Sequence, residues 1–76
     1  MNQQFNYPKI GKTYKHYKGG TYKVLTMAEH SETQEKMVVY QNVEFGGTYV
    51  RPLKMWFDEI SKEDNQITLR FSLIKE

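Results

Sequence analysis

Apolar and polar residues alternate over short stretches of the chain, and this pattern predicts β-strands. Residues 13–25, TYKHYKGGTYKVL, alternate on both sides of Gly19 and Gly20. A Gly-Gly pair supplies the positive φ values that a tight hairpin loop needs. With these glycines as the loop, the predicted register pairs Lys18 with Thr21, Tyr17 with Tyr22, His16 with Lys23 and Tyr14 with Leu25.

A second hairpin is predicted between residues 21–29 and residues 36–43. Pairing Glu29 with Lys36 brings opposite charges together across the two strands and produces a consistent apolar face. The second Gly-Gly pair, at 46 and 47, repeats the glycine loop. The predicted registers also pair Met27 with Val38, Leu25 with Tyr40 and, across the second glycine loop, Val43 with Val50.

The pattern changes at Pro52, which fixes its own φ and removes a backbone donor from any β-ladder. We therefore expect a short turn or 3-10 segment after it, which carries Leu53, Met55, Trp56 and Phe57 beneath the barrel. Alternation returns in QITLRFSLIKE, residues 66–76, and predicts one long strand. Its expected core face consists of Ile67, Leu69, Phe71 and Leu73.

Five short strands joined by glycine turns, with few helix signals, predict an all-β fold: a small SH3-like antiparallel barrel. We expect a loosely ordered lead over residues 1–10, a single barrel domain over residues 11–76 and a polar loop over residues 61–65. The predicted core consists of Val24, Leu25, Met27, Val39, Val43, Val50, Leu53, Phe57, Leu69 and Phe71.

Size and composition limit the possible classes of protein. A chain of 76 residues buries a thin core, and the absence of cysteine excludes disulfides and thiolate zinc sites. The N-terminus has no apolar signal-peptide core, and no apolar stretch approaches the ~20 residues of a membrane span. We therefore expect a cytoplasmic protein.

Positive charge and aromatic residues are concentrated in the first third of the chain. Residues 1–28 contain five lysines and no acidic residue, whereas the remainder contains six basic and nine acidic residues. Lysines interleaved with tyrosines are typical of surfaces that bind single-stranded nucleic acid, because rings stack on bases and ammonium groups hold phosphates. The alternative places the tyrosines in the core and the lysines in solvent. We favour that alternative here, because Tyr14, Tyr17 and Tyr22 cannot share one face of the predicted hairpin.

The segment AEHSETQEKMVVYQ, residues 28–41, groups a histidine, hydroxyls and carboxylates before an apolar run. Ser31 and Gln34 match the spacing of a helix capping box, whereas the hairpin interpretation makes the same residues a loop stabilised by side-chain to backbone hydrogen bonds. Both interpretations give these residues local structural roles. We therefore favour a structural role over a chemical one.

The sequence contains the residue types for two kinds of active site, a hydrolytic site and a metal site. A hydrolytic site would need His30, Ser31 and Glu32 to meet, yet sequence neighbours on a strand point to opposite faces. A metal site would need His16 beside His30, which the predicted register separates. We predict no catalytic residue, metal or cofactor, and keep a small hydrolase or metal-assisted enzyme using His30, Ser31 and Glu32 as the alternative.

Several separate blocks resemble a small bacterial domain family of unknown function. These blocks are HYKGGTYKV (16–24), AEHSETQE (28–35), VVY (38–40), GG (46–47) and VRPLKM (50–55). The resemblance implies a stand-alone cytosolic protein with a compact, mostly β fold, and brings no established activity. The residues that match its pattern are His16, Tyr17, Lys18, Gly19, Tyr22, His30, Ser31, Glu32, Thr33, Tyr40, Arg51 and Pro52; Tyr49 replaces a common tryptophan and Trp56 a usual phenylalanine.

The predicted function is that of a non-catalytic module that binds a peptide, a protein or a nucleic acid on the open face of the barrel. The last strand, expected from Ile67 to Lys75, presents a sheet edge unless the first strand pairs with it. We expect a monomer or weak homodimer that forms by strand addition at this edge or through an exposed Trp56. The predicted ligand-binding residues are His16, Tyr17, His30, Glu32, Tyr40, Arg51 and Trp56.

Overall fold

The computed structural model describes residues 7–61 and 66–74. Residues 1–6 of the predicted lead and residues 62–65 of the predicted polar loop lie outside the described residues, as do Lys75 and Glu76. In chain order the described elements are β1 (Thr13–His16), β2 (Thr21–Glu29), β3 (Lys36–Asn42), β4 (Thr48–Pro52), α1 (Leu53–Trp56), β5 (Glu59–Ser61), β6 (Ile67–Leu69) and β7 (Phe71–Leu73).

Five strands form one antiparallel sheet in the order β4-β3-β2-β1-β7, and β5 pairs with β6 in a second, two-stranded sheet. The all-β fold class is therefore confirmed. Within the described ranges neither sheet closes on itself, so the main sheet is open, with β4 and β7 at its edges. The four residues of α1 form the helix of this part of the chain, and no helix there is long enough to span a membrane.

The predicted hairpin between β2 and β3 is confirmed at its tip. Glu29 pairs with Lys36 and Met27 with Val38, and the Lys36 ammonium lies 3.2 Å from the Glu29 carboxylate. The predicted pairing of Leu25 with Tyr40 is wrong, because the register shifts between Val24 and Thr26. An extra residue in one strand is a β-bulge. It leaves Leu25 exposed and pairs Val24 with Tyr40.

The predicted register of the first hairpin is wrong. Tyr14 pairs with Tyr22 and Lys15 with Thr21, so the loop is longer than Gly19 and Gly20 alone. Both glycines have positive φ, as the sequence predicted, but they lie at the end of the loop. His16 closes the loop, because its N–H donates to the Gly20 carbonyl at 3.1 Å and its carbonyl accepts the Gly19 N–H at 2.9 Å. His16 lies opposite Phe71, and the Tyr17 N–H donates to the Arg70 carbonyl at 2.9 Å.

The loop between β3 and β4 is also longer than predicted, and the pairing of Val43 with Val50 is wrong. Val50 pairs with Val39 instead. The reason is the buried Asn42, whose side-chain oxygen accepts backbone N–H groups of Glu44 and Phe45 at 2.8 Å each. This amide fixes the start of the turn one residue before Val43, which is left exposed.

The predicted long strand from Ile67 to Lys75 is two strands joined by a corner at Arg70. The Arg70 N–H donates to the Asp58 carbonyl at 2.7 Å, and its own carbonyl accepts from Tyr17. Strand β6 therefore pairs with β5, while β7 pairs with β1. Of the apolar residues predicted to face the core here, Phe71 is buried, whereas Ile67, Leu69 and Leu73 are exposed.

The core is more aromatic than predicted. Val24, Leu53 and Phe71 are buried as expected, and Met27 and Phe57 pack against the core. Val39, also predicted to be buried, is half-buried, and its neighbour Val38 is buried instead. The expectation that Leu25, Val43, Val50 and Leu69 are buried is wrong, because the bulge, the longer loop and the corner turn them outward. The expectation of an exposed Trp56 is also wrong, since α1 carries it beneath the sheet with 0% exposure. The buried hydrophobic residues are Tyr14, Val24, Val38, Tyr40, Leu53, Trp56 and Phe71.

Candidate functional site

One face of the five-stranded sheet, here called the inner face, collects most of the aromatic side chains. Residues that pair across neighbouring strands share a face, and alternate residues along a strand point to opposite faces. The pairs Tyr40–Tyr49, Tyr14–Tyr22 and His16–Phe71 therefore lie on one side. By this alternation the inner face consists of Tyr14, His16, Tyr22, Val24, Val38, Tyr40, Asn42, Tyr49, Arg51, Phe71 and Leu73.

The helix α1 covers part of the inner face. The indole of Trp56 stacks on the Phe71 ring, with centroids 3.8 Å apart and planes 2° from parallel. Trp56 also meets the rings of Tyr14 and Tyr40 edge to face, at 5.5 and 5.0 Å. Such aromatic pairs add to the free energy gained by burying the rings. The covered part is thus a rigid core against which the uncovered rings rest.

Two glycine turns place the tyrosines of the uncovered part. The tetrapeptide GGTY occurs at residues 19–22 and again at 46–49. A Cβ atom on Gly47 would come within 2.5 Å of the Tyr49 hydroxyl, and one on Gly20 within 3.1 Å of the Tyr22 ring. Each second glycine therefore leaves room for the ring two residues later. The two rings meet with centroids 6.4 Å apart, at the uncovered side of the inner face.

Arg51 holds its guanidinium against these rings. Its Nε–H donates to the Tyr40 hydroxyl at 3.3 Å, and the centre of the guanidinium lies 5.5 Å from the centroid of Phe71. A cation over an aromatic face is attracted by the quadrupole of the ring. Arg51 is half-buried and is held in place by these two contacts.

His16 lies among three cations. Its ring packs 4.9 Å from Phe71 and 4.8 Å from Tyr17, and its Nδ1 accepts the Lys18 N–H at 3.1 Å. Partial burial, and then the positive charges of Arg51, Arg70 and Lys18, lower the pKa of His16 below its ordinary value of 6.5. His16 is therefore neutral at pH 7.

Arg70 and Tyr17 complete the group, because the corner at Arg70 holds the backbone of Tyr17. A guanidinium nitrogen of Arg70 lies 3.5 Å from an Asp58 carboxylate oxygen, whereas its Nε is buried and has no hydrogen-bond partner in the described part of the chain. We name this group the aromatic-basic surface. It consists of His16, Tyr17, Lys18, Tyr22, Tyr49, Arg51 and Arg70.

The HSET segment lies elsewhere and forms the tip of the β2–β3 hairpin. The Nδ1 of His30 accepts the backbone N–H groups of Glu32 and Thr33 at 3.1 and 3.3 Å, and the Thr33 hydroxyl accepts the Glu35 N–H at 3.3 Å. Residues 30–35 are therefore a loop whose side chains satisfy its own backbone, and no helix forms there. Because Nδ1 is already engaged, that nitrogen is not free to accept a proton from Ser31.

The predicted ligand-binding residues thus fall into two groups. His16, Tyr17 and Arg51 come together at the aromatic-basic surface, with Tyr40 and Trp56 buried beneath them. His30 and Glu32 lie at the far end of β2, roughly 26 Å along the strand at about 3.3 Å per residue. In residues 7–61 and 66–74, no three histidine or acidic side chains gather as metal ligands.

Sequence reasoning missed Tyr49, Arg70 and Asn42. The family pattern indicates Tyr49 as a departure, and the alternation of the last strand predicts a continuous strand through Arg70. The repeated GGTY was the available signal for Tyr49, because the same turn followed by the same residue predicts two equivalent rings. Nothing in the local sequence marks the corner at Arg70, which depends on the distant partners Asp58 and Tyr17.

Replacing Gly47 by alanine is expected to displace the Tyr49 ring while changing the free energy of unfolding by less than about 0.5 kcal/mol. Gly47 does not have a positive φ, so the new methyl group meets only the ring, which is 49% exposed and swings into solvent. The NMR chemical shifts of the Tyr49 ring and a denaturation curve measure the two effects.

The matched control is Gly46→Ala. No atom lies within 4 Å of the added methyl group, but the φ of +80° strains an alanine by about 1–2 kcal/mol. This variant should lose stability and leave the Tyr49 ring in place. Equal stability losses and equal ring shifts in the two variants would contradict the assigned role of Gly47.

Comparisons with known proteins agree with this fold. A family model described as "Protein of unknown function (DUF1653)" matches residues 12–73. The crystal structure of a DUF1653 protein from Bordetella bronchiseptica is similar to the chain, with 28% sequence identity and a TM-score of 0.74 over 84% of this chain and 85% of that chain. No curated protein matches. The match spans both glycine turns, the HSET loop and every residue of the aromatic-basic surface, and the chain therefore belongs to the DUF1653 family of proteins of unknown function.

Proposed function

We propose that the protein is a non-catalytic binding module whose ligand is single-stranded nucleic acid, bound at the aromatic-basic surface. The observation that carries this proposal is a set of contacts: Arg51 lies 5.5 Å from the Phe71 centroid, the Phe71 ring packs 4.9 Å from His16, and Lys18 lies 5.8 Å from the Tyr17 centroid. The Tyr49 ring, which is 49% exposed, meets Tyr22 on the same face. Single strands are bound by surfaces of this kind, because each base has a face to stack and each phosphate a charge to pair. We also propose that the protein is cytoplasmic.

The rings supply the stacking element. Tyr49 is 49% exposed, and Tyr17 and Tyr22 are half-buried, so each offers part of its ring to a ligand. Their positions are supported from below, since Tyr22 packs edge to face on Tyr40 at 5.4 Å and on Phe71 at 5.9 Å. Rings held in this way lose little conformational entropy when a base stacks on them.

The cations supply the phosphate contacts. Arg51 is held by Tyr40 and Phe71, and the side chain of Arg70 is 20% exposed. Guanidinium groups match phosphate geometry with paired N–H donors. Lys18 lies 5.8 Å from the Tyr17 centroid and places an ammonium group beside a ring. Among the described residues, Asp58 forms an ion pair with Arg70 and does not pair with Lys18 or Arg51.

The test is fluorescence anisotropy of a labelled 12-nucleotide single strand, with a duplex of the same sequence as the control. We expect the single strand to bind and its affinity to fall with a log–log salt slope of about −2, since three phosphate contacts contribute about −0.7 each. Between 50 and 200 mM salt this slope weakens binding about twenty-fold.

Two results would reject the proposal. Absence of single-strand binding at low salt would leave a peptide or a protein as the ligand, and acidic peptides labelled in the same way then test that case. Equal affinity for the duplex would show charge attraction without base stacking.

A further inference from the structure

Strand β4 forms one edge of the main sheet and is paired on one side, with β3. Among the described residues, no strand or loop donates or accepts a backbone hydrogen bond on its other side. The following helix does not cover this edge, because α1 turns back over the inner face and buries Leu53 and Trp56 there. The opposite edge, β7, is shorter, with three residues against five.

The hydrogen-bond pattern of the β3–β4 ladder shows which groups point outward. Asn42 and Gly47 face each other in a hydrogen-bonded pair, since the Asn42 N–H donates to the Gly47 carbonyl at 2.8 Å. Antiparallel pairs alternate between hydrogen-bonded and non-hydrogen-bonded. Tyr49 and Arg51 therefore bond to β3, whereas Thr48 and Val50 direct their N–H and C=O groups away from the sheet. The backbone of Pro52 also faces away from β3, so its missing N–H removes no hydrogen bond from the β3–β4 ladder.

We propose that β4 pairs antiparallel with β4 of a second copy of this chain, with Val50 opposite its own counterpart on the two-fold axis. This register makes Thr48 lie opposite Pro52 of the second copy and Tyr49 opposite Arg51. Each Val50 N–H donates to the other Val50 carbonyl, and each Thr48 N–H donates to a Pro52 carbonyl. The four bonds use every outward N–H group of β4. The Thr48 carbonyl, which faces Pro52 of the second copy, accepts no bond there because proline has no N–H.

The side chains of β4 complement each other in this register. Tyr49 and Arg51 lie on the inner face, so Tyr49 of one copy lies opposite Arg51 of the other and no two like charges face each other across the pairing. Val50, which is 58% exposed in one chain, meets its counterpart on the outer face. Of the residues that commonly block edge pairing, β4 contains Arg51, which lies against Tyr40 and Phe71, and Pro52, which ends the strand.

The pairing joins two aromatic-basic surfaces on one side of a continuous sheet, because a two-fold axis perpendicular to the sheet keeps both inner faces together. The assembly itself does not depend on a nucleic acid. The experiment is therefore carried out on the free protein, so its result is independent of the result of the anisotropy test.

Sedimentation equilibrium across a concentration series is expected to show a mass that rises from 9.1 kDa towards twice that value. Val50→Pro should abolish this rise, because proline lacks the outward N–H, and at an edge position it leaves the β3 ladder intact. Val50→Thr is the matched control: it keeps the N–H and the β-branched shape, and should still dimerise. A circular dichroism spectrum verifies that each variant is folded.

A second measurement does not depend on how the proline variant folds. The chain contains no cysteine, so Val50→Cys carries a single nitroxide label. Labels at this position are expected to show strong dipolar coupling across the two-fold axis, whereas labels at Val43→Cys, also exposed, should be farther apart. A constant monomer mass up to about 1 mM protein, or equal coupling at the two positions, would overturn the proposal.

Discussion

Phe71→Ala is expected to lower the free energy of unfolding by about 3–5 kcal/mol, the usual cost of removing a fully buried phenylalanine. The ring is 1% exposed, stacks on Trp56 and meets Tyr40 and Tyr22 edge to face. Its loss leaves a cavity where the sheet, the corner at Arg70 and α1 meet. A domain of this size has a total stability of about 4–11 kcal/mol, so the variant should lose a large fraction of it.

Urea denaturation followed by tryptophan fluorescence measures this loss, because Trp56 is the single tryptophan and packs on the deleted ring. The matched control is Phe45→Ala. Phe45 is 84% exposed in the β3–β4 loop, so its truncation should change the free energy of unfolding by less than about 0.5 kcal/mol. Similar losses in the two variants would mean that the aromatic stack is not the centre of the core.

Arg51→Gln is expected to weaken binding of a single strand about 10- to 100-fold, since hydrogen bonds to charged groups contribute about 1.5–3 kcal/mol each. It should also reduce the magnitude of the salt slope by about 0.7, because one phosphate contact is lost. Arg51→Lys keeps the charge but not the paired donors, so it should retain the slope and lose affinity. Lys36→Gln removes the same charge at the far end of β3, where Lys36 pairs with Glu29, and should leave affinity unchanged.

The same Arg51 variant gives a second readout that needs no ligand. Arg51 is one of the charges that lower the pKa of His16, so its replacement by glutamine should raise that pKa towards the ordinary value. An NMR titration of the His16 ring measures the change. An unchanged pKa of His16, together with unchanged affinity, would separate Arg51 from the surface to which we assign it.

Local interactions made part of the fold predictable from sequence. The pairing of Glu29 with Lys36 could be predicted because opposite charges flank a short polar loop and fix the register at the tip of the hairpin. Beyond the tip the prediction failed at Leu25, where the bulge shifts the pairing of the preceding residues 22–24 by one position. In an alternating sequence, a β-bulge cannot be recognised when the extra residue is itself apolar.

The errors elsewhere have non-local causes. The glycine turns were identified correctly by their residue type, but their lengths depend on Asn42 in one case and on the hydrogen bonds of His16 with Gly19 and Gly20 in the other. The sequence from Ile67 to Leu73 alternates without interruption, and only the bonds of Arg70 to Asp58 and Tyr17 divide it between two sheets. A contact of this kind is set by tertiary structure and cannot be seen in local periodicity.

The candidate site was predictable in part. His16, Tyr17 and Arg51 could be selected from residue type and resemblance, and they do come together. His30 and Glu32 were selected on the same grounds, yet they belong to a loop whose hydrogen bonds are local. The dense run of polar residues therefore forms a loop of its own, whereas the repeated glycine-tyrosine turn brings two rings together.

The most direct test of the binding surface is a two-dimensional ¹⁵N NMR titration of the protein with an unlabelled 12-nucleotide single strand at low salt. The account predicts that the largest shift changes fall on the amides of His16, Tyr17, Tyr22, Tyr49 and Arg51, while residues 30–35 stay unchanged. Changes concentrated in residues 30–35, or no changes at all, would contradict it.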